Sequence, residues 1–143
     1  MKTNLIAKAA VNISASAEQV WEGLVNPTLV KKYMMGATVQ SDWKKGSKII
    51  WKGEVKGKKF EDKGEIVAID PSKEIKYTHF SQLSGQEDKP ENYHTVDIHL
   101  SGSGKETKVE LTQDNNASSK EKEESEKNWK TMLEGLKQTV EAN

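Results

Sequence analysis

A single amphipathic helix at the end of the chain follows a long stretch that carries only strand and turn patterns. Residues 36–114 contain short apolar runs separated by turn signals at 56–58, 70–72, 81–92 and 102–104. The final helix has apolar residues three and four positions apart, at Trp129, Met132, Leu133, Leu136 and Val140. One helix can cover only one face of a sheet, so the sheet is predicted to curl around it.

The first part of the chain predicts one strand and two short helices. Apolar residues alternate over Leu5–Ile13, which is typical of a half-buried strand. Ser16 and Gln19 form a capping-box pattern, and Asn26-Pro27 ends one helix and starts another. The predicted fold class is α+β, a curved antiparallel sheet of about six to seven strands with two short helices after the first strand and a long C-terminal helix.

Length and composition exclude several classes of protein. The 143 residues predict a single domain spanning residues 1–143. The sequence has no cysteine, which excludes disulfides and thiolate metal sites. Because no apolar run reaches membrane-spanning length, we expect a cytoplasmic protein without a membrane partner.

Charge gives a weaker indication of a partner. All 22 basic residues are lysines, and 22 acidic residues balance them. The lack of arginine argues against nucleic acid, because arginine provides the best bidentate contacts to phosphates and bases. The segment Lys44–Lys63 holds eight lysines against three acidic residues. It is interpreted either as a solvated hairpin or as a surface for an acidic protein partner.

Short turns allow the strand register to be predicted. Turns at Gly57-Lys58 and Ser103-Gly104, with the other two connections centred, align the strands without adjustment. The predicted rows are Ile49, Ile66, Tyr77, Val96 and Leu111; Ala68, Ile75, Ile98 and Val109; and Trp51, Gly64, His79, His94 and Gln113. The third row puts polar side chains on the buried face, where a group without a partner costs about 1–3 kcal/mol. It therefore needs mutual hydrogen bonds, water or a ligand.

These rows define a candidate cavity between the sheet and the final helix. Its wall is predicted to be mainly apolar, with His79, His94 and Gln113 as the polar groups that orient a ligand, which is the usual composition of a ligand pocket. The candidate ligand-binding residues are Tyr33, Met34, Trp51, Tyr77, His79, His94, Val96, Gln113, Trp129 and Leu133.

Metal and catalytic chemistry find little support in the sequence. His99 is predicted on the opposite face from His94, and two histidines without further ligands make a poor metal site. No nucleophile lies beside a base, and no glycine-rich segment suits a phosphate. We therefore predict no metal, no cofactor and no catalytic residue. A cyclase or hydrolase that uses His79 and His94 stays as a third alternative.

Four motifs together resemble a known superfamily. They are Ser-Ala-Glu-Gln-Val-Trp at 16–21, Trp-Lys-Lys-Gly-Ser-Lys-Ile-Ile-Trp at 43–51, Gly-Glu-Ile-Val-Ala-Ile-Asp-Pro at 64–71, and Asn-Trp at 128–129. Over nearly its whole length the chain resembles the SRPBCC or START-like (birch-pollen-allergen-like) superfamily. Within it, the chain resembles the C-terminal domain of activators of the 90-kDa heat-shock protein's ATPase. It departs from the family pattern at Ser47, where a second glycine is usual.

The resemblance implies a helix-grip fold, a role in the stress response and a cavity often suited to apolar ligands. The function expected from it is that of a non-enzymatic protein that binds a small, largely apolar, aromatic or lipid-like molecule. The alternative is an interaction module that contacts a chaperone or another acidic partner through Lys44–Lys63.

Overall fold

The computed structural model describes residues 5–34, 36–55, 57–81 and 85–142, without the side chains of Val55 and Ser103. Seven strands form one antiparallel sheet in the order β1-β7-β6-β5-β4-β3-β2. The elements are β1 (Ala7–Ile13), α1 (Ala17–Val25), α2 (Pro27–Tyr33), β2 (Thr38–Ser41), β3 (Lys48–Val55), β4 (Lys58–Asp70), β5 (Glu74–His79), a 3-10 turn (Pro90–Asn92), β6 (His94–Ser103), β7 (Glu106–Gln113) and α3 (Ser119–Ala142). The predicted α+β helix-grip architecture is confirmed.

The predicted helix starts are confirmed in detail. The Ser16 hydroxyl accepts a hydrogen bond from the Gln19 backbone, and the Gln19 side chain accepts one from the Ser16 backbone. Asn26 caps α2 by accepting a hydrogen bond from the Thr28 backbone. Each cap satisfies backbone donors that a helix N-terminus leaves without an intrahelical partner. The two short helices are therefore specified locally by their own sequence.

Helix α3 packs on β1 and on the two short helices. Leu133, Leu136 and Val140 are buried on its inner face. Gly23 of α1 allows a close approach, because a Cβ there would lie 2.7 Å from Val140 Cγ2 and 2.9 Å from Leu136 Cδ1. The C-terminal half of α3 is thus tightly packed against α1.

Carboxylates of α3 also hold the edge strand β1. Glu126 Oε2 accepts a hydrogen bond from the Lys8 backbone at 3.0 Å, and Glu141 Oε2 accepts one from the Ser14 backbone at 2.9 Å. The first bond lowers the pKa of Glu126, and a hydrogen bond from Lys137 is the main cause of the lowered pKa of Glu141. These bonds satisfy donors that an edge strand otherwise leaves unpaired.

The centre of the sheet has the predicted register. Ile66 pairs with Tyr77, Tyr77 pairs with Val96, and His79 pairs with His94. Ile66 and Val96 are fully buried, as the predicted inward row requires.

The predicted register of the β3–β4 hairpin is wrong by two residues. Trp51 pairs with Asp62 rather than Gly64, and Ile49 pairs with Gly64 rather than Ile66. Gly57 is the second residue of the turn, with a positive φ of 79° that suits glycine. Lys56, the other turn residue, lies outside the described residues. Because the error is an even number, every side chain keeps its predicted face.

The same kind of error affects the β6–β7 hairpin. Val96 pairs with Gln113 rather than Leu111, so Gln113 does not lie opposite His94. The observed register pairs Leu100 with Val109, two buried apolar residues. The two turn residues are Gly104 and Lys105 rather than Ser103 and Gly104, and this change by one residue displaces the paired strand by two.

A bulge in β4 overturns one further pairing. It lies between Ile66 and Ala68, so that Ile69 rather than Ala68 pairs with Ile75. Ala68 is only partly buried, contrary to its predicted place in the inner row. A bulge adds one residue to one strand and turns the following side chains to the other face.

Candidate functional site

A pocket of about 500 Å³ lies between β3–β5, helix α2 and the middle of α3. It forms where α3, held against β1 and the short helices, leaves space over the opposite half of the sheet. The lining residues are Tyr33, Met34, Ala37, Trp51, Phe60, Asp62, Tyr77, His79, Asn128, Trp129, Thr131 and Met132. The volume is in the range of pockets that hold small molecules, and most of the wall is apolar or aromatic.

Aromatic rings form the sheet side of the pocket. The Trp51 ring lies 5.2 Å from the Tyr77 ring at 49° and 5.2 Å from the His79 ring in an edge-on arrangement. Trp51 and Tyr77 are buried at 5% and 7% exposure, so most of each ring packs against the protein. Tilted ring pairs at this separation are favourable, and they make this wall stiff.

The helix side of the pocket depends on a hydrogen bond across the interior. Trp129 on α3 donates its indole N–H to the Gln113 side-chain oxygen on β7. Gln113 is buried, and its side-chain oxygen accepts this hydrogen bond from within the protein. The bond sets the position of the Trp129 ring at the pocket wall.

The two tyrosines of the pocket are neutral phenols. The Tyr33 hydroxyl donates a hydrogen bond to the Gly23 carbonyl oxygen of α1 at 2.7 Å. Burial strongly raises the pKa of Tyr33, and burial does the same for Tyr77. Neither phenol therefore contributes a negative charge to the site at neutral pH.

A carboxylate and an imidazole form the polar part of the wall. His79 Nε2 lies 3.0 Å from Asp62 Oδ2. The other oxygen, Asp62 Oδ1, is buried and has no hydrogen-bond partner among the described residues. Asp62 faces the pocket because it pairs with Trp51 across the β3–β4 ladder.

His94 has a separate partner from His79, although the two residues pair on adjacent strands. Its Nδ1 donates to the Asp114 carbonyl oxygen at 2.9 Å. The carbonyl can only accept, so this bond sets the His94 tautomer. The hydrogen-bond partner of His79 is thus the Asp62 carboxylate, and that of His94 is the Asp114 backbone carbonyl.

Six of the ten residues predicted to bind a ligand line the pocket, and four do not. The six are Tyr33, Met34, Trp51, Tyr77, His79 and Trp129. Val96 and Leu133 lie in the hydrophobic core, Gln113 holds Trp129, and His94 is bonded at the start of β6. Whether any of the ten binds a ligand stays a prediction.

Other lining residues were absent from the predicted set. Phe60 and Asp62 reach the pocket because β4 is displaced by two residues from the predicted register. Phe60 covers Gly53, where a Cβ would lie 2.8 Å from the ring. Met132 follows Trp129 by three positions on α3, so helical spacing alone could have identified it.

The lysines of segment 44–63 are divided by the β3–β4 hairpin rather than gathered in one patch. Lys52 lies 3.6 Å from Glu61, and Lys63 forms an ion pair with Asp88. Five lysines of the segment are exposed and form no ion pair with another described residue: Lys44, Lys45, Lys48, Lys58 and Lys59. The uncompensated positive charge therefore sits at the two ends of the hairpin.

A separate polar cluster lies on the outer face of the sheet. Glu74, Asp97 and His99 bring their side-chain ligand atoms within 4.8 Å of one another. The Lys76 ammonium lies 3.7 Å from Asp97 Oδ2, and His99 Nε2 lies 3.1 Å from the same oxygen. A hydrogen bond with Asp97 is the main cause of the raised pKa of Glu74. His99 is on the opposite face from His94, as predicted.

Comparisons with known proteins agree with this fold. A family model described as "Activator of Hsp90 ATPase homolog 1-like protein" matches residues 14–141. The solution structure of ChR145 from Cytophaga hutchinsonii has 54% sequence identity, covers 99% of this chain and 97% of its own, and gives a TM-score of 0.85. No curated protein matched in the corresponding search.

Two more distant structures share the fold. The Aha1 dimer from Colwellia psychrerythraea is 19% identical, with 94% of this chain and 95% of the other covered and a TM-score of 0.71. Protein NE0264 from Nitrosomonas europaea is 18% identical, with 99% and 97% covered and a TM-score of 0.77. In the described part of the chain, no helix combines the length and apolar character needed to span a membrane.

Proposed function

The chain belongs to the family of Activator of Hsp90 ATPase homolog 1-like proteins, and we propose that it is a non-enzymatic protein that binds a small, largely apolar molecule between its sheet and α3. The observation that carries this proposal is the pocket of about 500 Å³ with its mainly aromatic wall. A wall of this kind removes apolar ligand surface from water, which contributes about 25 cal/mol per Å² before the costs of binding.

The shape of the wall supports binding rather than simple looseness of packing. Trp51 and Tyr77 are held by their mutual contact, and Trp129 is held by Gln113. An aromatic wall fixed before binding loses little side-chain freedom when a ligand arrives, which favours affinity. The Asp62–His79 pair adds a small polar patch to this apolar surface.

Calorimetric titration with 2-naphthol tests the proposal. We expect saturable binding with a negative heat-capacity change, because apolar surface is buried. Met132→Trp should fill the pocket and weaken binding at least about tenfold, which is 1.4 kcal/mol. Lys130→Trp introduces the same ring on the exposed side of α3 and serves as the control. Equal affinities for both variants would contradict the proposal.

Contact with a chaperone or another acidic protein is a second candidate, favoured by the exposed lysines that lack ion-pair partners. Replacing Lys44, Lys45 and Lys58 by alanine should weaken capture of an acidic chaperone, and added salt should weaken capture by the unmodified chain. The control is replacement of Lys52 and Lys63, whose charges are already paired. Capture that depends on neither the three lysines nor salt would remove this candidate.

A further inference from the structure

We propose that the pocket recognises an aromatic molecule through a hydrogen-bond donor, a hydroxyl or an ammonium group, that bonds to Asp62. The inference rests on the proposed function and narrows the class of ligand. It starts from a carboxylate in an otherwise apolar wall, whose two oxygens differ in their surroundings. Oδ2 has His79 Nε2 at 3.0 Å, whereas Oδ1 has no hydrogen-bond partner among the described residues.

Two hydrogen-bond donors of the wall are already used within the protein. The Tyr33 hydroxyl donates to the Gly23 carbonyl oxygen, and the Trp129 indole N–H donates to Gln113. Neither group therefore has this proton left to donate to Asp62. The Asp62 carboxylate has about four acceptor sites and one hydrogen-bond partner among the described residues, so it can accept a further donor from an occupant of the pocket.

Lysines next to Asp62 in the sequence do not compensate its charge. Lys63 extends to the outer face of β4 and pairs with Asp88. Lys52 likewise pairs with Glu61, which alternates with Asp62 along the strand. Among the described residues, His79 is the one basic side chain within 4.0 Å of the Asp62 carboxylate.

The rings around Asp62 favour the same class of ligand. Trp51 lies opposite Asp62 in the ladder, and its ring contacts the rings of Tyr77 and His79. These surfaces suit an aromatic body, while the carboxylate forms a charge-assisted hydrogen bond with a hydroxyl or ammonium group. An ammonium group gains further attraction from the faces of the surrounding rings.

A matched series of ligands tests the inference with the unmodified protein. Naphthalene has no polar group, 2-methoxynaphthalene can only accept, 2-naphthol can donate, and 2-naphthylmethylamine donates with a positive charge. We expect the two donors to bind at least about tenfold more tightly than the other two, which corresponds to one charge-assisted hydrogen bond. Affinities measured by calorimetry at constant salt give the comparison directly.

Asp62→Asn identifies the group that selects the donor. The substitution keeps the shape of the side chain but removes its charge, so the preference should fall below about threefold. Glu61→Gln makes the same chemical change on the outer face of the same strand, where Glu61 pairs with Lys52, and should leave the preference intact.

The possible results separate this inference from the proposed function. Equal binding of all four compounds overturns the donor requirement while the pocket proposal stands. Binding of none of them overturns both. A donor preference that persists in Asp62→Asn assigns recognition to another group and overturns the role of Asp62. The ligand series uses the unmodified chain, so a folding defect in the variant does not prevent a decision.

Discussion

The two ends of the space between the sheet and α3 have different structures, although one helix and one sheet form both. At the packed end, Leu136 and Val140 contact α1 closely, with Ile13 and Val20 buried beside them. At the open end, Trp129 and the residues around it face the pocket. Helix α3 lies on β1 and the short helices, so the gap opens toward β3–β5. The position of α3 thus leaves the pocket of about 500 Å³ at the end nearer β3–β5.

Side-chain type follows this division. The packed end uses aliphatic residues, which interdigitate closely and leave few voids. The open end uses large rings held by specific contacts, such as the Trp51–Tyr77 pair and the Trp129–Gln113 hydrogen bond. Rings fixed in this way cannot collapse into the space between them. Stability and binding are therefore expected to depend on different residues of the same interface.

Side-chain truncations on α3 should show the largest difference in stability between the two ends. Leu136→Ala removes a fully buried side chain and should lower the free energy of unfolding by about 3–4 kcal/mol. Met132→Ala enlarges a space that already exists and should cost only about 1 kcal/mol. Urea denaturation of both variants gives the comparison. Equal losses would mean that the two ends are packed alike.

The Trp129–Gln113 hydrogen bond provides a smaller test at the open end. Gln113→Leu removes the acceptor and should cost about 1–2 kcal/mol, because the indole N–H loses its partner. It should also weaken 2-naphthol binding, since Trp129 lines the pocket. Gln40→Leu, on an exposed position of β2, is the control. Unchanged binding and stability would show that the bond does not shape the wall.

The carboxylates on α3 give the smallest expected effect, which should be local. Both glutamates have a pKa below the ordinary value of 4.5. The stability that their ionised side chains contribute to the fold is therefore present above that pH and is lost as the pH falls. Glu126→Gln should speed hydrogen exchange of the Lys8 amide near the open end, and Glu141→Gln that of Ser14 at the packed end.

Each variant should also reduce the loss of stability between pH 4.5 and more acidic solution, because one shifted carboxyl group has been removed. In each variant, the glutamate that has not been replaced, and the amide that it bonds, serve as the control. If either substitution accelerates exchange at both amides equally, the two glutamates act on the whole helix rather than on its ends.

Much of the fold could be predicted because local patterns agree with the tertiary structure. The capping box at Ser16 and the helical spacing of Leu133 and Leu136 each specify an element by themselves. The His79–His94 pairing could be predicted because centring the long connection between β5 and β6 gives the observed register.

The candidate site was harder to predict because it depends on register and on the position of α3. The segment Lys56-Gly57-Lys58 admits two turns that differ by one residue, and this difference moves the paired strand by two. The predicted turn therefore places Gly64 rather than Asp62 opposite Trp51. The β4 bulge has no distinct signal in the sequence, and the Trp129–Gln113 contact joins elements whose relative position no local pattern specifies.

A titration of isotope-labelled protein with 2-naphthol, followed by amide chemical shifts, tests the central claim most directly. Binding at the open end should shift the amides of Trp51, Asp62, His79 and Trp129 together, with a common dissociation constant. The amide chemical shift of Val140, at the packed end, should not change. Saturable shifts confined to these open-end residues are the predicted result. An unchanged spectrum, or shifts spread evenly over both ends, would contradict a ligand pocket at the open end.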